Sequence, residues 1–83
     1  MSAKEMFKLE GYTGYSTKVF SHYSKYISQT KSQIIDIDLR ERKVEKLIIT
    51  ANTERVCKEY TFEEIKAINK IIEELECNKG SEE

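Results

Sequence analysis

Hydrophobic and polar positions change their period twice along the 83-residue chain. Near the start Ala3, Met6 and Leu9, joined by Phe7, recur at helical spacing and predict a short helix with these residues as its buried face. Ser2 and Glu5 have the S-x-x-E spacing in which each side chain satisfies the other's backbone amide, so the helix begins at Ser2, and Gly11 stops it. Tyr12-Thr13-Gly14 then reads as a turn. From Tyr15 to Tyr26, β-branched and aromatic residues predict one extended strand with no cleanly apolar side. Tyr15, Val19 and Tyr23 share one parity in it, while Lys18, Phe20, His22 and Tyr26 share the other. The polar run from Ser28 to Ser32 predicts a loop.

Alternation is clearest from Ile34 to Leu39, with Ile35, Ile37 and Leu39 on one side and Asp36 and Asp38 on the other. The charged run Arg40 to Lys43 interrupts it, and Val44 to Ala51 continues as the second arm of a hairpin. A turn at Glu41-Arg42 would set Lys46 opposite Ile37 on the apolar side. A centre at Arg42 sets Leu47 opposite Ile37 and Ile49 opposite Ile35, and it is preferred because it keeps the charge outside. Asn52 to Glu54 forms a turn, and Arg55 to Tyr60 a further strand with Val56, Lys58 and Tyr60 on one side. Thr61-Phe62-Glu63-Glu64 is a second capping box, opening a helix to about Glu76 whose stripe is Phe62, Ile65, Ile68, Ile72 and Leu75, widened by Ile71. The prediction is an α+β domain over residues 1–78 with a frayed tail at 79–83. Its parts are a short N-terminal helix, a three- or four-stranded antiparallel sheet, and a long C-terminal helix packed over Ile35, Ile37, Leu47 and Ile49.

Charge alters this picture little in total and more in its distribution. Fourteen Lys and Arg against fifteen Asp and Glu give a net charge of −1, which disfavours generic attraction to polyanions. Residues 11–34 nevertheless hold Lys18, Lys25 and Lys31 with no acid, whereas residues 56–83 hold four Lys against eight Glu. No apolar run approaches the ~20 residues of a membrane-spanning helix, and no targeting or lipidation signal stands out, so a cytoplasmic protein is expected. Cys57 and Cys77 alone make neither a disulfide framework nor a zinc site, and reduced thiols are the simpler expectation. A core this small leaves homo-oligomerisation open as a source of further burial.

The inventory for catalysis is thin. His22 is the only histidine, no G-x-S-x-G elbow accompanies it, and no glycine-rich phosphate loop is present, so no catalytic residue, metal or cofactor is assigned. Asp36 and Asp38 lie roughly 7 Å apart along one strand face, a spacing that can hold a cation but that better describes a solvated sheet face paired to Arg40, Lys46 or nearby lysines. The segment from 12 to 31 interleaves aromatic and cationic residues. Tyr15, Phe20, Tyr23 and Tyr26, with Lys18, His22 and Lys25, are the candidate contact residues for a protein or nucleic acid. Glutamates on the last helix are broken up by Lys66 and Lys70 and make a poor imitation of DNA.

Both ends carry a family likeness. Ser2-Ala3-Lys4-Glu5-Met6-Phe7 followed by Gly11-Tyr12, together with the run Glu63-Glu64-Ile65-Lys66-Ala67-Ile68-Asn69-Lys70-Ile71-Ile72-Glu73-Glu74-Leu75, resembles small uncharacterised proteins of phages and prophages of Gram-positive bacteria. Those proteins have an "AKEMFEELGY" helix, a variable strand region and a closing "AINKQIEELGW" helix, with Gly-Trp where this chain has Glu76-Cys77. The resemblance implies a mobile-element origin in a bacterial host and carries over no functional residues. The resulting expectation is a non-enzymatic interaction protein that binds a host protein, possible roles including inhibition of a defence or nucleic-acid-handling system. The alternatives are a weak single-stranded nucleic-acid binder and a small oligomer that sequesters a nucleotide.

Overall fold

The computed structural model describes the backbone of residues 1–81 and the side chains of residues 1–76. The first helix, α1, spans Ala3–Leu9. Its capping box closes as the sequence predicts, the Glu5 amide donating to Ser2 Oγ at 3.2 Å and the Ser2 amide to Glu5 Oε1 at 3.0 Å. Hydrogen bonds donated by the Ser2 amide and the Ser2 hydroxyl to its carboxylate hold the Glu5 carboxyl below its ordinary range. Gly11 takes φ 88°, the left-handed stop that glycine adopts without steric penalty. The buried face differs from expectation: Ala3 and Phe7 are sealed, Met6 is half-buried, and Leu9 is exposed.

Five strands follow: β1 (Tyr12–Ser16), β2 (Phe20–Ser28), β3 (Lys31–Asp38), β4 (Lys43–Thr50) and β5 (Thr53–Cys57). They form one antiparallel sheet in sequential order. The count exceeds the predicted three or four because the stretch read as a single strand from Tyr15 to Tyr26 is two strands. Their turn is Thr17–Val19, where Thr17 Oγ1 accepts the amides of Val19 (3.4 Å) and Phe20 (3.1 Å). Tyr12 to Gly14 is accordingly strand, and Gly14 serves a close approach instead of a turn. A Cβ there would stand 1.9 Å from the His22 carbonyl oxygen on the neighbouring strand. The loop expected over Ser28–Ser32 contracts to the turn at Gln29-Thr30.

Neither register weighed for the β3–β4 hairpin is the one formed. Asp38 Oδ1 accepts the amides of Arg40 (2.9 Å) and Glu41 (3.2 Å), and Arg42 closes the connection at φ 53°. This wider turn pairs Ile37 with Val44, Ile35 with Lys46 and Ile34 with Leu47. Since parity decides the face, Lys46 points inward with Ile35 and Ile37, and Leu47 and Ile49 point away from them. The last strand also begins earlier than predicted, at Thr53, so that Lys58 and Tyr60 lie beyond it.

The second helix, α2, spans Phe62–Ser81, past the expected end at Glu76 and into the segment expected to be a tail, of which residues 82 and 83 lie outside the described residues. Thr61 caps it, receiving the Glu64 amide on Oγ1 at 3.0 Å while its own amide donates to Glu64 Oε1 at 2.9 Å. Its buried stripe is Glu64, Ala67, Ile68, Ile71 and Leu75, rotated from the predicted one, so Phe62 is 82% exposed and Ile65 42% exposed. Helix α1 lies beside α2 on the same sheet face, tied to it by the Ala3 amide donating to Glu74 Oε2 at 3.1 Å. Between helices and sheet, Phe7 stacks on Tyr23 with centroids 4.2 Å apart and meets Tyr12 edge-on at 5.6 Å. No described helix is long and apolar enough to cross a membrane.

Candidate functional site

Both helices cover one face of the sheet, and among the described residues no element covers the other. Strand register places the side chains of that open face in rows. One row is Thr13, Ser24, Ile34, Leu47 and Val56. Next to it on one side is Tyr15, His22, Asp36 and Glu45, with Phe20, Asp38 and Lys43 beyond, and on its other side Tyr26, Ser32, Ile49 and Glu54. Tyr15 and Val56 are each 55% exposed and Tyr26 73%, with Phe20, Ile34, Leu47 and Ile49 half-buried around them. All five strands thus contribute apolar or aromatic side chains to the open face.

At its centre, His22 Nδ1 lies 2.6 Å from Asp36 Oδ1, with both side chains about one-third exposed. The carboxylate accepts from Nδ1, which fixes the ring and leaves Nε2 for a visiting group. Tyr15 lies alongside, its centroid 5.7 Å from the imidazole. This arrangement was not read from the sequence, because His22 and Asp36 meet only across the β2–β3 register. The face is acidic as well as apolar: Asp36, Asp38, Glu45 and Glu54 stand on it against Lys43 alone.

The seven candidate contact residues divide between surfaces. Tyr15, Phe20, His22 and Tyr26 share the open face, whereas Tyr23 is buried on the helix side and is unable to touch a partner. Lys25 also lies on the helix side, its ammonium 5.6 Å from the Tyr12 ring centroid, and Lys18 belongs to the β1–β2 turn. The cations needed to neutralise phosphates are therefore not interleaved with the exposed tyrosines. Asp36 and Asp38 do not form a joint cation site either, the first holding His22 and the second its own turn amides. Among the described residues no group of three or more His, Cys, Asp or Glu side chains gathers to hold a metal. Cys57 is a free thiol, and the side chain of Cys77 lies outside the described residues.

What makes the outer face apolar is a polar bridge inside. Lys46 Nζ lies 2.8 Å from Glu64 Oε1 and donates to the Glu59 carbonyl at 3.0 Å, while the Tyr12 hydroxyl donates to Glu64 Oε2 at 2.5 Å. Burial pushes the Glu64 carboxyl up, but hydrogen bonds from Lys46, Tyr12 and the Thr61 amide, with the Lys46 charge, outweigh it and keep the carboxyl below its ordinary range. Burial, followed by the Glu64 hydrogen bond and charge, pushes the Tyr12 phenol up, so it stays protonated. Every buried polar side-chain atom among the described residues has a partner. A sequence signal for the bridge existed: Glu64, the acid of the second capping box, precedes Ile68, Ile71 and Leu75 by four, seven and eleven positions, and so shares their face.

Comparison of the chain with protein-family models, with curated proteins and with solved structures gives no match.

Proposed function

We propose that the chain is a non-enzymatic interaction protein of phage origin that docks a host protein on the open face of its sheet. The observation that carries this reading is the uncovered five-strand face itself, where Tyr15, Tyr26 and Val56 project beyond a half-buried apolar field. Tyrosine offers large contact area at small entropic cost, and a contiguous apolar patch left in water marks an interaction surface. Four carboxylates against one lysine specify the partner's chemistry, an apolar centre rimmed by Lys and Arg. Host proteins that handle nucleic acids present such basic surfaces, which accords with interference in a defence or nucleic-acid-handling system. The phage origin rests on the likeness of the two end motifs alone.

Affinity capture from a bacterial lysate with nuclease present tests the reading. A specific protein should be retained by the parent chain and lost with Tyr15→Lys and Val56→Lys, two exposed positions that leave the fold intact. Recovery of nucleic acid alone in the absence of nuclease, or retention of the same protein by both variants, would overturn it.

A further inference from the structure

A second surface lies on the helix side, where α1 stops short and the C-terminal half of α2 faces the ends of two hairpins. There a half-open cleft of about 1170 Å³ separates the helix from the β1–β2 and β3–β4 turns. Its floor is core, made by Ile37, Ile71 and Leu75, and its walls add Val19, Val44 and Ile72. Val19 and Val44 are each more than one-third exposed, so apolar surface remains in water on the turn side. The volume is that of a ligand site, but the cleft is too open to enclose a small molecule on most sides as such sites do. A polypeptide segment laid along it buries the exposed wall without needing enclosure.

Charge selects among segments. Lys18, Arg40 and Arg42 stand on the turn side and Glu74 and Glu76 on the helix side, while Asp38 and Lys43, which also border the cleft, belong by register to the open sheet face. Both glutamates belong to α2, across the cleft from the arginines, and Glu74 already accepts the Ala3 amide. The two arginines are less committed: Arg40 reaches Asp38 only at 3.9 Å, and Arg42 makes no ion pair among the described residues. Arg42 is also held at φ 53°, where glycine or asparagine would be unstrained, so its guanidinium occupies the lip at a conformational cost.

We infer that this cleft is a docking site for an acidic, apolar peptide segment, its hydrophobic side chains on Val19, Val44 and Ile72 and its carboxylates on Arg40 and Arg42. The site lies on the helix side of the sheet and meets the open sheet face only at Asp38 and Lys43, and its turn side is basic where that face is acidic. A bound segment on each side would let the molecule bridge an acidic and a basic partner.

Fluorescence anisotropy with two labelled synthetic peptides tests this, one of leucines and glutamates in amphipathic order and one with lysine in place of each glutamate. The glutamate peptide should bind saturably at low salt, weaken as salt rises, and shift amide resonances of residues 37–44 and 71–76. Arg40→Glu with Arg42→Glu, both on an exposed turn, should weaken it about tenfold, while Tyr15→Lys on the open face should leave it unchanged. Equal or tighter binding of the lysine peptide, no saturable binding of either, or full binding by the Arg40/Arg42 variant would each overturn the inference. Loss of host-protein capture by Tyr15→Lys with peptide binding intact keeps the two docking readings distinguishable.

Discussion

Lys46 is the residue on which the most depends. At 5% exposure, its ammonium is out of water and relies on Glu64 and the Glu59 carbonyl for compensation. Removing one partner of such a pair strands the other charge, so Lys46→Met should lower the unfolding free energy by about 3–5 kcal/mol in urea titration. Replacing Lys46 and Glu64 together by methionine should restore most of that loss, because no charge is then left alone. The pH dependence has a definite sign. A carboxyl depressed in the fold contributes stability that is present above its unfolded value near 4.5 and lost as pH falls, so the parent chain should weaken on acidification below that value. In Lys46→Met the unpaired, buried Glu64 favours its protonated form, and the same acidification should relieve part of the defect. The raised Tyr12 phenol adds a loss of stability as pH rises past 10, where the unfolded chain ionises and the folded one does not. Gly14 is a second sensitive position. Its substitution by alanine forces a methyl against the β2 backbone, and equilibrium denaturation should show a loss of about 1–3 kcal/mol.

Among the elements, those with local signals were legible and those set by register were not. Both capping boxes, the Gly11 stop and the alternation of Ile35 and Ile37 against Asp36 and Asp38 are contained in short windows, and all of them form. The β1–β2 turn went unread because its stabiliser is the Thr17 hydroxyl and no glycine or proline marks it. The β3–β4 register was misjudged through a sound rule wrongly weighted: keeping Lys46 out of the core favours the other parity until Glu64 is placed opposite it. That same pair rotates α2, turning Glu64 inward and Phe62 outward. The rotation predicts a contrast between two large hydrophobes on one helix. Ile71→Ala should cost about 2–5 kcal/mol, whereas Phe62→Ala should leave the denaturation midpoint nearly unchanged. Of the candidate contact residues, parity within β2 correctly grouped Phe20, His22 and Tyr26. It also set Tyr23 apart from them, but moving Tyr15 to their face required the turn that sequence reasoning missed.

At the scale of the whole molecule, one interior ion pair determines what the exterior offers. Were the hairpin to slip by one residue, Leu47 and Ile49 would enter the core beneath α2, and Val44, Lys46 and Ile48 would face water as a half-polar strand. The observed register reverses this and sends the apolar set outward into the row of Ile34 and Val56, beside the Tyr15, His22 and Asp36 cluster. The apolar open face is therefore a consequence of burying charge, and its presence is measurable without a partner. A soluble gadolinium chelate relaxes methyl protons in proportion to their exposure. The methyls of Leu47, Ile49 and Val56 should relax strongly and those of Leu47 share nuclear Overhauser contacts with both Ile34 and Val56, while those of Ile37 and Ile71 stay protected. Protection of Leu47 and Ile49 together with contacts from Leu47 to Ile71 would contradict the account.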